Sequence, residues 1–212
     1  MGVLDKAAVL LAALEAEPLT LGALTEATGL TRATTHRLAV ALEAHGLVRR
    51  HVGGRFALGL RLVALGRAAA DALPLADAAR PALEWLRDTT GESVQLYIRE
   101  GDGRICVDAL ESPHGLRTIV AVGATLPLDR GSAGKVLRGD PATTRRGWAD
   151  SVGEREAGVA SVSAVVRDGS EVVAAVSVSG PIERTTRRPG RRYAAAVTEA
   201  AHRIEVAAGL SR

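Results

Sequence analysis

The chain has 212 residues, with 27 lysines and arginines against 24 acids and a net charge of +3. Apolar residues make up 47% of it and aromatics only 2%, so a core is available but must be built from Ala, Val and Leu. A single cysteine, Cys106, excludes an internal disulfide and a multi-cysteine zinc site. With no signal-peptide pattern and no run of about 18 apolar residues, a soluble cytoplasmic protein without a membrane partner is expected.

Residues 5–16 are expected to form a first helix, capped by Asp5, with Ala8, Leu11 and Leu14 inward and Pro18 beyond its end. Thr20 caps a short second helix carrying Leu21, Leu24 and Ala27 inward, and Gly29 stops it. Thr31 then caps a longer helix whose inward stripe is read as Thr34, Leu38, Ala41 and Leu42. Gly46 ends that helix, with Leu47 placed to fold back on it. Arg32, Thr35, His36 and Arg37 are left on the outside of its first turns. A short helix, a glycine turn and a longer helix with arginines and hydroxyls at its start describe a helix-turn-helix. Val48–Val52 and Arg55–Leu58, on either side of Gly53-Gly54, read as a β-hairpin wing bearing Arg49, Arg50, His51 and Arg55.

Charge distinguishes this arrangement from an ordinary helical bundle. Residues 31–67 hold seven arginines and one acid, Glu43, a local charge of +6 that leaves −3 for the rest of the chain. Positive charge is gathered where a duplex would lie, as phosphate contacts require. Thr31, Arg32, Thr34, Thr35, His36 and Arg37 are therefore expected at the DNA on the recognition helix. Arg32 and Thr35 would read or frame bases, and Arg49, Arg50 and Arg55 would hold phosphates.

Residues 60–73 continue as a helix with Leu62, Leu65 and Ala69 on one side, read as a linker whose apolar stripe serves either a dimer contact or packing on the wing domain. Another helix runs from Pro74 to Thr90. Ser93 to Arg99 then alternates with period two and Arg104 to Leu110 returns from a glycine turn, with further strands expected at 116–122, 159–166 and 171–179, and helical sequence returns from Arg191 to Ala208. Antiparallel strands flanked by helices make this an α+β chain. The domains are placed at residues 1–59 and 74–212, joined by 60–73.

Ser132-Ala-Gly-Lys-Val-Leu-Arg138, between Gly131 and Gly139, is a short helix opened by small residues. A phosphate-binding loop would need Gly at 129 and Ser or Thr at 136, but the chain has Asp129 and Val136. An anion site at this helix start, around Ser132, Ala133 and Gly134, stands beside a tight packing corner as the two readings. No nucleophile–base pair occurs at a recognisable spacing, so no catalytic residue, cofactor or metal is expected. Cys106 reads as buried packing.

Thr31-Arg-Ala-Thr-Thr-His-Arg-Leu38, Gly54-Arg-Phe-Ala-Leu-Gly59, Gly131-Ser-Ala-Gly-Lys135, Arg146 to Arg155, Gly158-Val-Ala-Ser-Val162 and Ser177-Val-Ser-Gly-Pro-Ile182 together resemble the IclR family of transcriptional regulators. Within it, the chain is most similar to the branch controlling leucine and other amino-acid biosynthesis genes. The resemblance implies a winged helix-turn-helix, a linker helix and a GAF-like effector domain. It further implies a homodimer or dimer of dimers on palindromic double-stranded operators, with a small organic acid or amino acid as effector. Ser132 and Ala133 match family pocket positions at the Gly-x-Gly-Lys-type helix, as do Ser161 after the Gly-Val step and Ser177 and Ser179 before Gly-Pro-Ile. Period two puts Ser177 and Ser179 on one strand face, where hydroxyls either line a wet cavity or bond to local backbone. The chain departs from the family near 139–145, where only Asp140 to Thr144 precede Arg145-Arg146. The longer excursion usual there helps cover the pocket, so an effector site that is more open, weaker or lost is expected.

Overall fold

The computed structural model describes residues 1–71 and 74–210, which divide into two units, Met1–Ala72 and Leu73–Arg212. In the first unit, helices α1 (Val3–Ala13), α2 (Leu21–Thr28) and α3 (Arg32–Ala44) precede strands β1 (Val48–Arg50) and β2 (Phe56–Leu58) and helix α4 (Arg61–Asp71). Residues 72 and 73, the expected end of the linker helix, lie outside the described residues.

Two threonines start the helix pair. Thr20 Oγ1 accepts the Ala23 amide and Thr31 Oγ1 accepts the Thr34 amide, each meeting a donor that the helix itself leaves open. Gly29 closes α2 in the left-handed conformation, and the Leu47 amide reaches back to the Leu42 carbonyl, the six-to-one bond of a Schellman end. The core is Leu10, Leu14, Leu24, Ala39, Leu42, Val48 and Phe56.

Several expected inward positions are corrected by this core. In α1, Leu10 is buried and Ala8 exposed. The helix begins earlier than expected, because Asp5 sits inside the first turn and accepts the Gly2 amide rather than capping from outside. Ala27 and Ala41 are also exposed. On α3 the buried stripe is Thr35, Ala39 and Leu42, rotated by one residue from the expected one. Alanine and threonine fit either face of a helix, so the periodicity here was set by too few large side chains to fix the rotation.

The second unit opens with α5 (Pro74–Thr90) and closes with α9 (Pro189–Ala207). Between them lie β3 (Ser93–Glu100), β4 (Gly103–Leu110), β5 (Thr125–Pro127), α6 (Ser132–Arg138), α7 (Pro141–Arg146), β6 (Trp148–Val152), β7 (Val159–Asp168), β8 (Glu171–Pro181) and α8 (Ile182–Thr185). The six strands form one antiparallel sheet in the order β5-β4-β3-β8-β7-β6. Residues 116–122, expected as a strand, have no regular structure, and Leu116, Ile119 and Val122 are exposed. Their apolar side chains find no neighbouring strand to pair with. The edge position beside β4 is taken by β5 instead.

Alternation sorts the sheet into two faces. Val94, Leu96, Val162, Ala164, Val166, Val176 and Val178 pack against Leu83 and Leu86 of α5 and Val197 and Ile204 of α9. The opposite face carries Tyr97, Cys106, Val165 and Ala175 under Ala133, Val136 and Leu137 of α6. A bulge in β4 breaks the pattern once. Leu96 pairs with Asp108 but Tyr97 with Cys106, so the extra residue, Val107, turns Asp108 to the helix side. There Asp108 meets Arg80 of α5 at 2.7 Å.

Glu92, at the threshold of β3, is 2% exposed and holds Arg184 of α8 through two parallel bonds of 2.8 Å each. Removing the guanidinium alone leaves a buried carboxylate without a partner. Arg184→Met is expected to lower unfolding free energy by about 3–5 kcal/mol in urea titrations followed by circular dichroism. The double change with Glu92→Gln should recover part of that loss. Equal stability of Arg184→Met and the unaltered chain would show that the pair is not buried as described.

Candidate nucleic-acid interface and effector pocket

Helix α3 presents Arg32, His36 and Arg37 to solvent, and none of the three is held by a hydrogen bond or ion pair among the described residues. Arg32 and His36 share a face at i, i+4 spacing, with Arg37 beside them. Thr35, expected at the bases, is instead 0% exposed, and its hydroxyl donates to the Thr31 carbonyl at 3.1 Å. A β-branched hydroxyl can satisfy itself against the preceding turn, which lets threonine serve as a core residue of a helix. Thr34 is half-buried, and the exposed Thr31 donates its hydroxyl proton to Thr34 Oγ1 at 3.0 Å while capping the helix. These two hydroxyls therefore order the helix start, and the freely offered groups are the two arginines and the histidine.

The hairpin pairs Val48 with Leu58, Arg49 with Ala57 and Arg50 with Phe56, and Leu19 adds a bridge on the far side of Phe56. Gly53 and Gly54 both take positive φ, 73° and 72°, a turn that side-chain-bearing residues resist. Arg49, Arg50 and Arg55 are all exposed, as expected of a wing. Each is also tethered: Arg49 Nε donates to the Leu58 carbonyl at 3.2 Å and Arg55 Nη1 to the Pro18 carbonyl at 3.3 Å. Arg50 lies over the Phe56 ring at 4.1 Å and pairs with Glu43 at 3.2 Å. The one acid of the basic stretch thus neutralises one of its arginines.

In the second unit, the sheet face under α6 carries two cross-strand rows: Ser93, Ser179, Ser161 and Ser151, then Gln95, Ser177, Ser163 and Ala149. Ser132 of α6 sits above them. Its hydroxyl shares protons with Ser161 and Ser163 at 2.7 Å each, Ser161 with Ser151 at 3.0 Å, and Ser163 donates to Ser177 at 2.9 Å. Ser179 donates to Gln95 Oε1 at 3.1 Å. Of the six residues expected at the pocket, Ser132, Ala133, Ser161, Ser177 and Ser179 line one cavity of about 20 Å³ with Gln95, Tyr97, Arg104, Ser151 and Arg155. The cavity itself is narrow. Gly134 does not line it; a Cβ there would lie 2.3 Å from the Leu128 carbonyl oxygen, so glycine is needed to seat α6. The Gly131 amide, at the helix start, is already taken by Glu154 Oε2 at 3.1 Å, and Lys135 binds the same carboxylate at 2.5 Å.

Arg104, Ser151, Ser163 and Gln95 were missed by sequence reasoning. Serines on a Val/Ala strand were signal enough for Ser163, two residues after Ser161; Arg104 carried none, because a lone arginine beside a turn reads as solvated. It is in fact 2% exposed, with Nη1 donating to the Pro127 and Arg130 carbonyls and the guanidinium 5.4 Å from the Tyr97 ring centre. Burial lowers its pKa and pushes that of the Tyr97 phenol up. Among the described residues, no group of His, Cys, Asp and Glu is placed to hold a metal, and no helix is long and apolar enough to cross a membrane.

Cys106 is fully buried, and burial pushes its thiol pKa up to about 12. Folded Cys106 thus keeps a proton that the unfolded chain releases near its ordinary value of 9.0, so this group costs stability as pH rises above that value. At pH 8 a disulfide-type thiol reagent should label the chain only in denaturant. Native labelling at the rate of free cysteine would contradict the burial.

The model of the IclR helix-turn-helix domain matches residues 3–51, and that of the bacterial transcriptional regulator IclR C-terminal region matches residues 67–139 and 141–206. The chain is 33% identical to the HTH-type transcriptional regulator KipR of Bacillus subtilis over 56% of its own length and 48% of that protein's. It is also 33% identical to the glycerol operon regulatory protein of Streptomyces griseus, over 74% of each. It therefore spans about half of the first relative and about three-quarters of the second. Its fold is similar to that of an IclR homolog from Microbacterium hydrocarbonoxydans complexed with 4-hydroxybenzoate, with a TM-score of 0.82, 21% identity, and 98% of this chain and 99% of that one covered. Matched in both units and in the same order, the chain belongs to the IclR family of DNA-binding bacterial transcriptional regulators.

Proposed function

We propose that the chain regulates transcription by setting Arg32, His36 and Arg37 of α3 in the major groove, with the wing arginines along the phosphates. The observation that carries this reading is the outward, unpaired presentation of those three side chains beside a basic hairpin. Arg32 contacts bases in this reading, and Thr31 and Thr34 position the helix start. Thr35 belongs to the core. Residues 1–59 serve as the DNA-binding domain, 60–73 as the linker and 74–212 as the effector domain. The exposed Val63 and Leu65 of α4 support a homodimer, or dimer of dimers, on a palindromic site.

A small carboxylate is the effector proposed for the serine-lined cavity, supported by its hydroxyls and its buried guanidinium. Among the relatives described, one is named for a glycerol operon and one was solved with 4-hydroxybenzoate, so regulation of carbon-compound use has more support than amino-acid biosynthesis.

Selection of bound duplexes from a random pool, followed by mobility-shift titration, tests the reading. A two-fold symmetric motif is expected, and Arg32→Ala should lose about 1–3 kcal/mol on it while relaxing one base position. Glu43→Gln should instead bind DNA more tightly, with the salt slope steepened by about one, because it frees Arg50 for a phosphate. No enriched motif, or an Arg32→Ala variant with unchanged base preferences, would overturn it.

A further inference from the structure

Arg104 is buried in an unusual way. No carboxylate among the described residues forms an ion pair with it, its Nε is buried without any hydrogen-bond partner, and its one well-met nitrogen, Nη1, is held by neutral carbonyls. Two further arginines, Arg155 and Arg138, act against its charge, and Asp129 offsets them only in part and without an ion pair. A desolvated cation surrounded in this way is costly unless an anion completes it, and an orphaned buried donor calls for an acceptor. Arg104 lines the same cavity as Ser161, Ser177 and Ser179.

The cavity, about 20 Å³, has room for little more than one water-sized group, so only the end of a ligand fits there. A larger groove of about 490 Å³ adjoins it, and the two share Val159 and Glu156. Strand register explains the join. Val159 pairs with Pro181 two residues along from the Ser161–Ser179 pair, so both pairs lie on one sheet face, polar first and apolar next. Leu116, Thr118 and Ile119, from the segment without regular structure, form the groove's other wall, the charged Arg117, Glu156 and Glu183 also line it, and Thr118 Oγ1 is a second buried atom without a partner.

We propose that Arg104 anchors the carboxylate of an amphipathic monocarboxylic acid whose apolar body lies in the groove between Val159, Pro181, Leu116 and Ile119. This rests on the effector reading of the pocket and adds to it the anchoring residue and the shape of the ligand.

Titration calorimetry of the full chain with acetate, butanoate and hexanoate, and with hexanamide as the uncharged control, tests the proposal. Each buried methylene is worth about fourfold in affinity, from roughly 0.8 kcal/mol, so hexanoate should bind at least tenfold more tightly than acetate. Hexanamide should give no heat at the same concentrations. Arg104→Gln should lose at least tenfold for hexanoate and Arg104→Lys should keep most of it, both variants being checked for native circular dichroism. If Arg104→Gln does not fold, the amide control and Arg104→Lys carry the test. Equal binding of hexanamide and hexanoate, or undiminished binding by a folded Arg104→Gln, would overturn the anchor while leaving the pocket an effector site. Affinity independent of chain length would overturn the groove. Binding by none of the acids would overturn both this proposal and the effector reading beneath it.

Discussion

Seven arginines opposed by one glutamate within residues 31–67 impose the constraint from which the first unit's design follows. Like charges at such density repel, and a compact fold tolerates them only where they are spread over its surface and solvated. The helix-turn-helix and hairpin do this by placing Arg32 and Arg37 on one element and Arg49, Arg50 and Arg55 on another. Carbonyls, the Phe56 ring and Glu43 steady the second group. What remains is an outward basic surface on α3 and the hairpin. The core beneath is small, so the caps at Thr20 and Thr31 and the Leu47-to-Leu42 return bond carry a large share of its definition.

The second unit meets the opposite problem. Its sheet is covered on both faces, yet one face holds two rows of hydroxyl and amide side chains. Burying them is tolerable because they bond to one another, Ser132 closing the set from above, and because small side chains let α6 approach closely. Arg104 is an exception to this mutual satisfaction, since its Nε is buried without a partner. Sites of that kind are where a fold departs from its own rules for the sake of binding.

Much of this was legible in the chain. Thr20, Gly29, Thr31 and Gly46 punctuate the helix pair so plainly that its elements fall where local chemistry puts them, and β3, β4, β7 and β8 fall on stretches whose apolar residues mark them as strands. The rotation of α3 is not legible, because threonine and alanine give no strong preference between faces, and Thr35 therefore reads as a surface residue in the sequence although the structure buries it. The strand expected at 116–122 failed for a different reason: a short apolar run does not specify the neighbour that would pair with it. Trp148–Val152 pairs with β7 although its sequence does not read as a strand, since Asp150 and Ser151 interrupt its apolar pattern. Of the pocket, the serines could be named from their strand, but Arg104 could not, because burial of a charge depends on what folds over it.

Whether the basic front of this chain is a DNA-binding surface is most directly tested by the salt dependence of its affinity for duplex DNA, measured by fluorescence anisotropy between about 50 and 200 mM salt. The account predicts a straight line of log affinity against log salt with a slope steeper than about −3, from at least four phosphate contacts at about 0.9 each. An affinity that does not change with salt, or no binding at about 50 mM, would contradict it.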